Sequence, residues 1–246
     1  MEIKGILFDK DGTLIDFFKV WEPAIKPVLE RLLAQLGLEF DREEKECLLK
    51  RLGYRNGKID PEGAIAWKSY RGIARDLGEA CPVLKQRVST EKLADILRAE
   101  FYTEVAKKRQ EYPTFTDLPA LCRMLTGQGI QLGVATTDDA ASTKHCLDCL
   151  KITSYISFWG TADGQLPEKP DPKLLYMAAA QWKVLPEEIA VVGDTPNDMR
   201  FAENAHATGI AVLSGTGSRL ALEPLADVVI GSVDDLWKLI YDLKNV

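Results

Sequence analysis

Histidine is scarce. The 246-residue chain carries two, His145 and His206, and neither closes an apolar run that reads as a strand. A Ser-His-Asp or Cys-His site therefore has no imidazole to build on. Cysteine is also sparse for the length: Cys47, Cys81, Cys122, Cys146 and Cys149 do not make a disulfide scaffold. Cys146 and Cys149 form a CxxC with no second pair at zinc-ligand spacing, and read as two small residues on a helix. Basic charge is not in excess. Lys plus Arg number 31 against 37 Asp plus Glu, a net charge of −6, which argues against a general nucleic-acid binder. The densest basic run, Lys107-Lys108-Arg109, sits in a helical setting and reads as a solvated face. No apolar run approaches a membrane span, and Glu2-Ile3-Lys4 leads straight into the first strand with no secretory pattern before it. No nucleic-acid or membrane partner is expected, and a reduced, cytoplasmic setting is. Internal repeats and low-complexity segments are absent as well.

What is present describes an ordinary globular protein, 46% hydrophobic and 28% charged, long enough for one large α/β domain or a domain with an insert. Ile6, Leu7 and Phe8 read as a buried strand. Residues 17–110 then read as an all-helical block. Val28, Leu29, Leu32, Leu33 and Leu36 keep a helical period, with Pro23 and Pro27 predicting a late start or a kink. Asp41 with Glu44 forms a capping-box pattern. Residues 53–63, GYRNGKIDPEG, read as a loop by composition, a third helix is expected from about Glu62 to Leu77, and a fourth from about Glu91 to Lys108. From Tyr112 the rhythm becomes alternating helix and strand, with strands over 130–135, 155–159, 189–192, 209–213 and 228–230. Such alternation predicts a Rossmann-like, doubly wound, mostly parallel sheet covered on both faces. The expected organisation is an α/β core over 1–15 and 112–246 with an inserted all-α cap over 16–111.

In open α/β sheets ligands sit outside the carboxyl ends of the strands. The first strand ends in Asp9-Lys10-Asp11-Gly12-Thr13, the strand IQLGVA in Thr136 and Thr137, and the strand IAVV in Gly193-Asp194-Thr195-Pro196-Asn197-Asp198; the loop LPEKPDP adds Lys169. Asp9 and Asp11, at i and i+2, point the same way if the segment stays extended, whereas a turn between them changes that. A plain Asp-Gly turn is the structural alternative. Paired carboxylates repel unless a cation or a shared proton relieves them. Carboxylates for Mg²⁺, a lysine and a hydroxyl for phosphoryl oxygens, one aspartate to attack phosphorus and another to move protons together suit phosphoryl transfer.

DKDGT (9–13), VATT (134–137), KPDP (169–172) and GDTPND (193–198) resemble, in order, the four motifs of the haloacid dehalogenase superfamily, and the resemblance spans the chain. The helical insert is similar to the α-helical cap of its phosphoglycolate phosphatase-like and β-phosphoglucomutase-like members. The resemblance implies Asp9 as nucleophile, and Asp11 as general acid and base with its backbone carbonyl on the metal. It implies Thr136 and Lys169 as phosphoryl holders, Asp194 as a direct Mg²⁺ ligand, and Asp198 behind it, orienting metal-bound water or Lys169. Dehalogenase and phosphonatase branches lack an acid at the Asp11 position, which leaves a Mg²⁺-dependent phosphatase acting on a small phosphorylated metabolite. A phosphosugar mutase is the alternative, and a non-catalytic phosphate-binding regulator the remaining one. Thr137, Lys10 and Arg55 are candidate substrate contacts, Arg55 because it lies in the 53–58 loop of the insert. Phe17 and Phe18 stand where relatives often carry a small hydroxyl residue, with Trp21 following closely, and these aromatics read as core packing or as a bulky cap entrance. A monomer or a homodimer is expected.

Overall fold

A computed structural model describes residues 2–60, 63–107, 112–162 and 167–244. The chain separates into two units, Met1–Phe17 with Glu111–Val246, and Phe18–Gln110. Strand β1 (Gly5–Phe8) opens the first unit, and the second unit interrupts it.

The second unit begins along helix α1 (Phe17–Gln35), which carries Pro23 and Pro27 inside it. The expected late start does not occur. Each proline removes one i→i−4 bond, at about 3 kcal/mol. Against that, Val20, Ala24, Ile25, Val28, Leu29, Leu32 and Leu33 are all buried on one face, and a buried Val, Leu or Ile contributes roughly 1.5–3 kcal/mol. Burial outweighs the lost bonds. Helix α2 (Arg42–Leu52) starts at a capping box: Glu44 N–H donates to Asp41 and Asp41 N–H donates to Glu44.

The stretch read as a loop is a β-hairpin, β2 (Tyr54–Arg55) paired antiparallel with β3 (Lys58–Ile59). Its two-residue turn is Asn56 and Gly57, both at positive φ (53° and 83°), the combination that matches the twist of paired strands. The insert is therefore not all-helical. The expected third helix is also two: α3 (Ala64–Trp67) and α4 (Tyr70–Ala80), divided at Ser69, whose hydroxyl caps α4 through Gly72 N–H. Glu62, where that helix was expected to start, lies outside the described residues. Helix α5 (Pro82–Arg87) begins with proline at its first turn, where no N–H is needed. Helix α6 (Thr90–Lys107) completes the unit; Lys108 and Arg109 of the basic run lie outside the described residues. Trp21 and Tyr70 pack their rings on buried Phe101, with centroids at 5.2 and 6.0 Å. Trp21 is thus part of this unit's core.

The first unit resumes with α7 (Leu118–Gly127) and β4 (Gln131–Ala135), then α8 (Ala140–Cys149) and β5 (Ile156–Gly160). Next come α9 (Lys173–Trp182), β6 (Ile189–Gly193) and α10 (Pro196–Asn204). After β7 (Thr208–Val212) come α11 (Arg219–Leu222), β8 (Val228–Ile230) and α12 (Leu236–Lys244). Among the described residues, six strands form one parallel sheet in the order β5-β4-β1-β6-β7-β8. β1, β6 and β7 are buried throughout, as expected of parallel strands covered on both faces. Leu7, Val191 and Phe158 of the sheet pack with Leu175 and Ala178 of α9 and Phe201 of α10. The chain runs outward from β1 in both directions, so β1 marks the switch point where such sheets open a crevice. Among the described residues no helix is long and apolar enough to cross a membrane.

Candidate active site

Because the sheet is parallel, the carboxyl ends of β1, β4, β6 and β7 share one edge. Phe8 is in register with Val192, and Asp9 N–H donates to the Val192 carbonyl at 2.8 Å. This holds Asp9 beside the loop that follows β6. Asp194 is the first residue of that loop. Four residues later, Asp198 is the third residue of α10 and closes a capping box with Thr195. The box fixes one Asp198 oxygen: Oδ2 accepts from Thr195 N–H (3.0 Å) and from Thr195 Oγ1 (2.6 Å). One carboxylate oxygen each from Asp9, Asp194 and Asp198 lie within 4.8 Å of one another, and all three residues are buried.

Lys169 compensates part of this charge. Its Nζ is 2.7 Å from Asp9 Oδ1 and 2.5 Å from Asp198 Oδ1, with the side chain almost fully enclosed. Burial opposes the ammonium's charge, and the Asp198 and Asp9 carboxylates more than restore it, so the Lys169 pKa is raised. Asp9 is pushed up to about 7, first by burial and then by Asp198 and Asp11, with Lys169 pulling the other way. Burial, together with Asp9 and Asp198, raises Asp194 well above the usual carboxylate range despite the bonds from Thr216. The cluster holds more negative charge than Lys169 compensates.

Asp194 is held from the loop after β7. Its Oδ2 accepts from Thr216 N–H at 2.7 Å and Thr216 Oγ1 at 3.1 Å. A Cβ on Gly215 would stand 2.0 Å from Asp194 Oδ2, and one on Gly12 2.5 Å from it; the cradle exists because both residues lack one. Ser214 Oγ donates to the Gly12 carbonyl at 2.8 Å, tying this loop to the turn after β1. The other oxygen, Asp194 Oδ1, is buried with no hydrogen-bond partner among the described residues. An orphaned, buried carboxylate oxygen among two more carboxylates is a donor set suited to a hard divalent cation.

The remaining candidates are placed as follows. Thr136 is buried at the end of β4; its N–H donates to the Gly160 carbonyl (2.9 Å) and its Oγ1 accepts from Asp138 N–H (3.1 Å). Thr137 beside it is half-buried. Asp11 does not join the cluster of three. The chain turns directly after Asp9, with Leu14 and Ile15 N–H donating to the Lys10 carbonyl, and the Asp11 carboxylate faces Lys10, Oδ2 to Nζ 2.5 Å. Lys10 itself is buried and also reaches Asp138 at 3.2 Å. Its ammonium thus faces two carboxylates, those of Asp11 and Asp138. Arg55 is exposed on β2 in the other unit. Of the histidines, His145 lies on α8 with Nε2 3.7 Å from Cys149 Sγ. His206 follows the end of α10 with φ 59°. Buried Cys146 has its thiol pushed up to about 12 by desolvation.

Asp138, Ser214 and Thr216 escaped the sequence reading. The run Ser214-Gly215-Thr216-Gly217-Ser218 follows β7 on the same sheet edge, and reading every strand end, not only three, points to it.

Residues 3–206 match the haloacid dehalogenase-like hydrolase family. The chain belongs to the haloacid dehalogenase-like hydrolases. As such a hydrolase it is 28% identical, over 95% of its length and 91% of the relative's, to a phosphoglycolate phosphatase of Salmonella choleraesuis. It is 26% identical, over 96% and 91%, to that of Escherichia coli K12. Among solved structures, β-phosphoglucomutase of Clostridium difficile shares the fold, with a TM-score of 0.70, 17% identity, and coverage of 99% of this hydrolase and 97% of the mutase.

Proposed function

We propose that this hydrolase is a phosphatase that cleaves a small phosphorylated metabolite through an aspartyl-phosphate on Asp9. One observation carries the reading. Of the three clustered carboxylates, Asp194 and Asp198 are fully enclosed, while the Asp9 side chain keeps 11% of its surface open. Asp9 is the member that an incoming phosphoryl group can reach. The phosphoglycolate phosphatase relatives support the same reaction class.

In the first step an Asp9 oxygen attacks phosphorus, the bond from phosphorus to the leaving oxygen breaks, and Asp11 supplies that oxygen's proton. In the second, water attacks the phosphorus of the aspartyl-phosphate, Asp11 takes the water's proton, and the bond to Asp9 breaks. Inorganic phosphate leaves and the Asp9 carboxylate is restored. A positioned carboxyl of this kind is worth about 10²–10⁴-fold. Lys169, held by Asp198, neutralises phosphoryl oxygens, with the Thr136 hydroxyl and Thr137 beside it as further contacts. Asp9 and Asp194, with the Asp11 backbone carbonyl, would hold a divalent cation, read as Mg²⁺, and Asp198 would act behind them. Bound there, the cation supplies positive charge against the phosphoryl oxygens. Beyond the phosphoryl group the reading assigns Arg55, an exposed guanidinium that suits a carboxylate or second phosphate.

The test is phosphate release from a panel of phosphorylated metabolites with and without EDTA, using the wild type and Asp9→Asn. EDTA-sensitive turnover that Asp9→Asn abolishes is the expected result. Isomerisation requiring a bisphosphate activator would replace the reading with a mutase, and multiple turnover by Asp9→Asn would remove the covalent step.

A further inference from the structure

A buried lysine beside a proposed phosphoryl site invites assignment to the substrate, yet Lys10 is built into something else. It is 2% exposed, and its Nζ lies 2.5 Å from Asp11 Oδ2 and 3.2 Å from Asp138 Oδ2. Asp138, 6% exposed, is fixed on the turn between β4 and α8. Its Oδ2 accepts from Ser142 Oγ at 2.7 Å and its Oδ1 from Asp139 N–H at 2.9 Å. Its own N–H donates to Thr136 Oγ1 at 3.1 Å. Asp138 therefore has little rotamer freedom left, and the ammonium it anchors is a fixed point. From that point Lys10 draws the Asp11 carboxylate out of the group formed by Asp9, Asp194 and Asp198. Without it, Asp11 loses this ion pair and is a fourth acid two residues from a cluster already rich in negative charge.

We propose that Lys10, anchored by Asp138, is a positioning residue that holds the Asp11 carboxylate off the three-carboxylate cluster and keeps it available to the leaving oxygen. The proposal rests on the reading of Asp11 as proton donor. It differs from that reading in what it says of Lys10: no contact with substrate, and an effect exerted wholly through Asp11.

Proton donation matters in proportion to how poor the leaving group is. Nitrophenolate departs without a proton, whereas an alkoxide needs one. The experiment measures kcat/KM, which covers the steps through leaving-group departure, on p-nitrophenyl phosphate and on glycerol phosphate. The wild type is compared with Asp11→Asn, Lys10→Met and Asp138→Asn. Asp11→Asn is expected to lose about 10²–10⁴-fold on the alkyl substrate and far less on the aryl one. Lys10→Met is expected to repeat that selectivity, its alkyl loss exceeding its aryl loss by about tenfold or more, because a misplaced catalytic group costs on the order of 10²-fold. Asp138→Asn, which keeps a side-chain acceptor for Ser142, is expected to show the same selectivity in weaker form. It decides the question if Lys10→Met does not fold. Selective loss by Asp11→Asn with equal or no loss by Lys10→Met, or by Asp138→Asn in its place, overturns the positioning role and leaves the Asp11 reading standing. Absence of selectivity in Asp11→Asn itself removes both.

Discussion

Replacing Lys169 by Met removes the one cation that, among the described residues, pairs with the clustered carboxylates, and keeps the length of the side chain. The ammonium lies 2.7 Å from Asp9 Oδ1 and 2.5 Å from Asp198 Oδ1, and the Asp198 side chain is fully buried. Removing one partner of a buried ion pair typically costs about 3–5 kcal/mol, because the other charge is left uncompensated. At roughly 2–4 °C per kcal/mol for a chain of this size, the melting temperature should fall by about 6–20 °C. The loss must also depend on pH. Burial already pushes Asp9 up to about 7 against the opposing pull of Lys169, and losing Lys169 moves it higher. A carboxyl whose folded pKa lies above its unfolded value of 3.8 makes the folded state progressively less stable as pH rises from the unfolded value through the folded one. The deficit of Lys169→Met should therefore be small at pH 5, where the folded protein can protonate, and large at pH 8. A divalent cation at pH 8 should recover part of it by mass action. Thermal unfolding at both pH values, with and without Mg²⁺, measures all three effects. Equal melting temperatures for Lys169→Met and wild type at pH 8 without cation would refute the charge reasoning.

Gly215→Ala places a Cβ 2.0 Å from Asp194 Oδ2; overpacking of this kind costs about 1–3 kcal/mol, and the Mg²⁺ concentration for half-maximal phosphate release should rise, as an activity titration will show. Because Asp9 and Asp194 are both raised by burial, protons compete with the cation. In the wild type, Mg²⁺ affinity by calorimetry should weaken as pH falls from 8 to 6, with proton release on binding. Asp194→Asn should impair Mg²⁺ binding more than Asp198→Asn, since losing a residue that only orients the metal's ligands costs about 10–100-fold; the reverse order would exchange the two assignments. Arg55→Ala should cost about 1.5–3 kcal/mol in kcat/KM on a metabolite with a second anionic group and little on an aryl phosphate. Equal losses on both would make Arg55 a structural residue.

The sheet and its edge were legible because buried parallel strands are short apolar runs that end abruptly. Asp9, Thr136 and Asp194 each stand directly after such a run. The helix cap Asp41 was equally local, needing a partner only three residues away. What escaped depends on partners far along the chain. Nothing near Lys10 announces that Asp138 will meet it, 128 residues on, and without that partner its charge reads as one meant for substrate. The rotation of Asp11 follows from the same contact and from the turn that gives Leu14 and Ile15 their bonds to Lys10. Thr216 was passed over because a loop of Gly, Ser and Thr carries no charge to draw attention, though its N–H and hydroxyl fix Asp194. The hairpin was different in kind. Asn56-Gly57 is a strong local signal for a two-residue turn, missed because its strands are only two residues long. In α1 the local rule was read correctly and lost, the buried face overriding both prolines.

The covalent role of Asp9 is tested most directly by acid-quenching the wild-type protein during turnover and mapping phosphate on its peptides by mass spectrometry. An acyl-phosphate on Asp9, discharged by hydroxylamine and absent from Asp9→Asn, is the predicted result. Steady turnover with no phosphoryl-protein, or with phosphate carried on another residue, would contradict it.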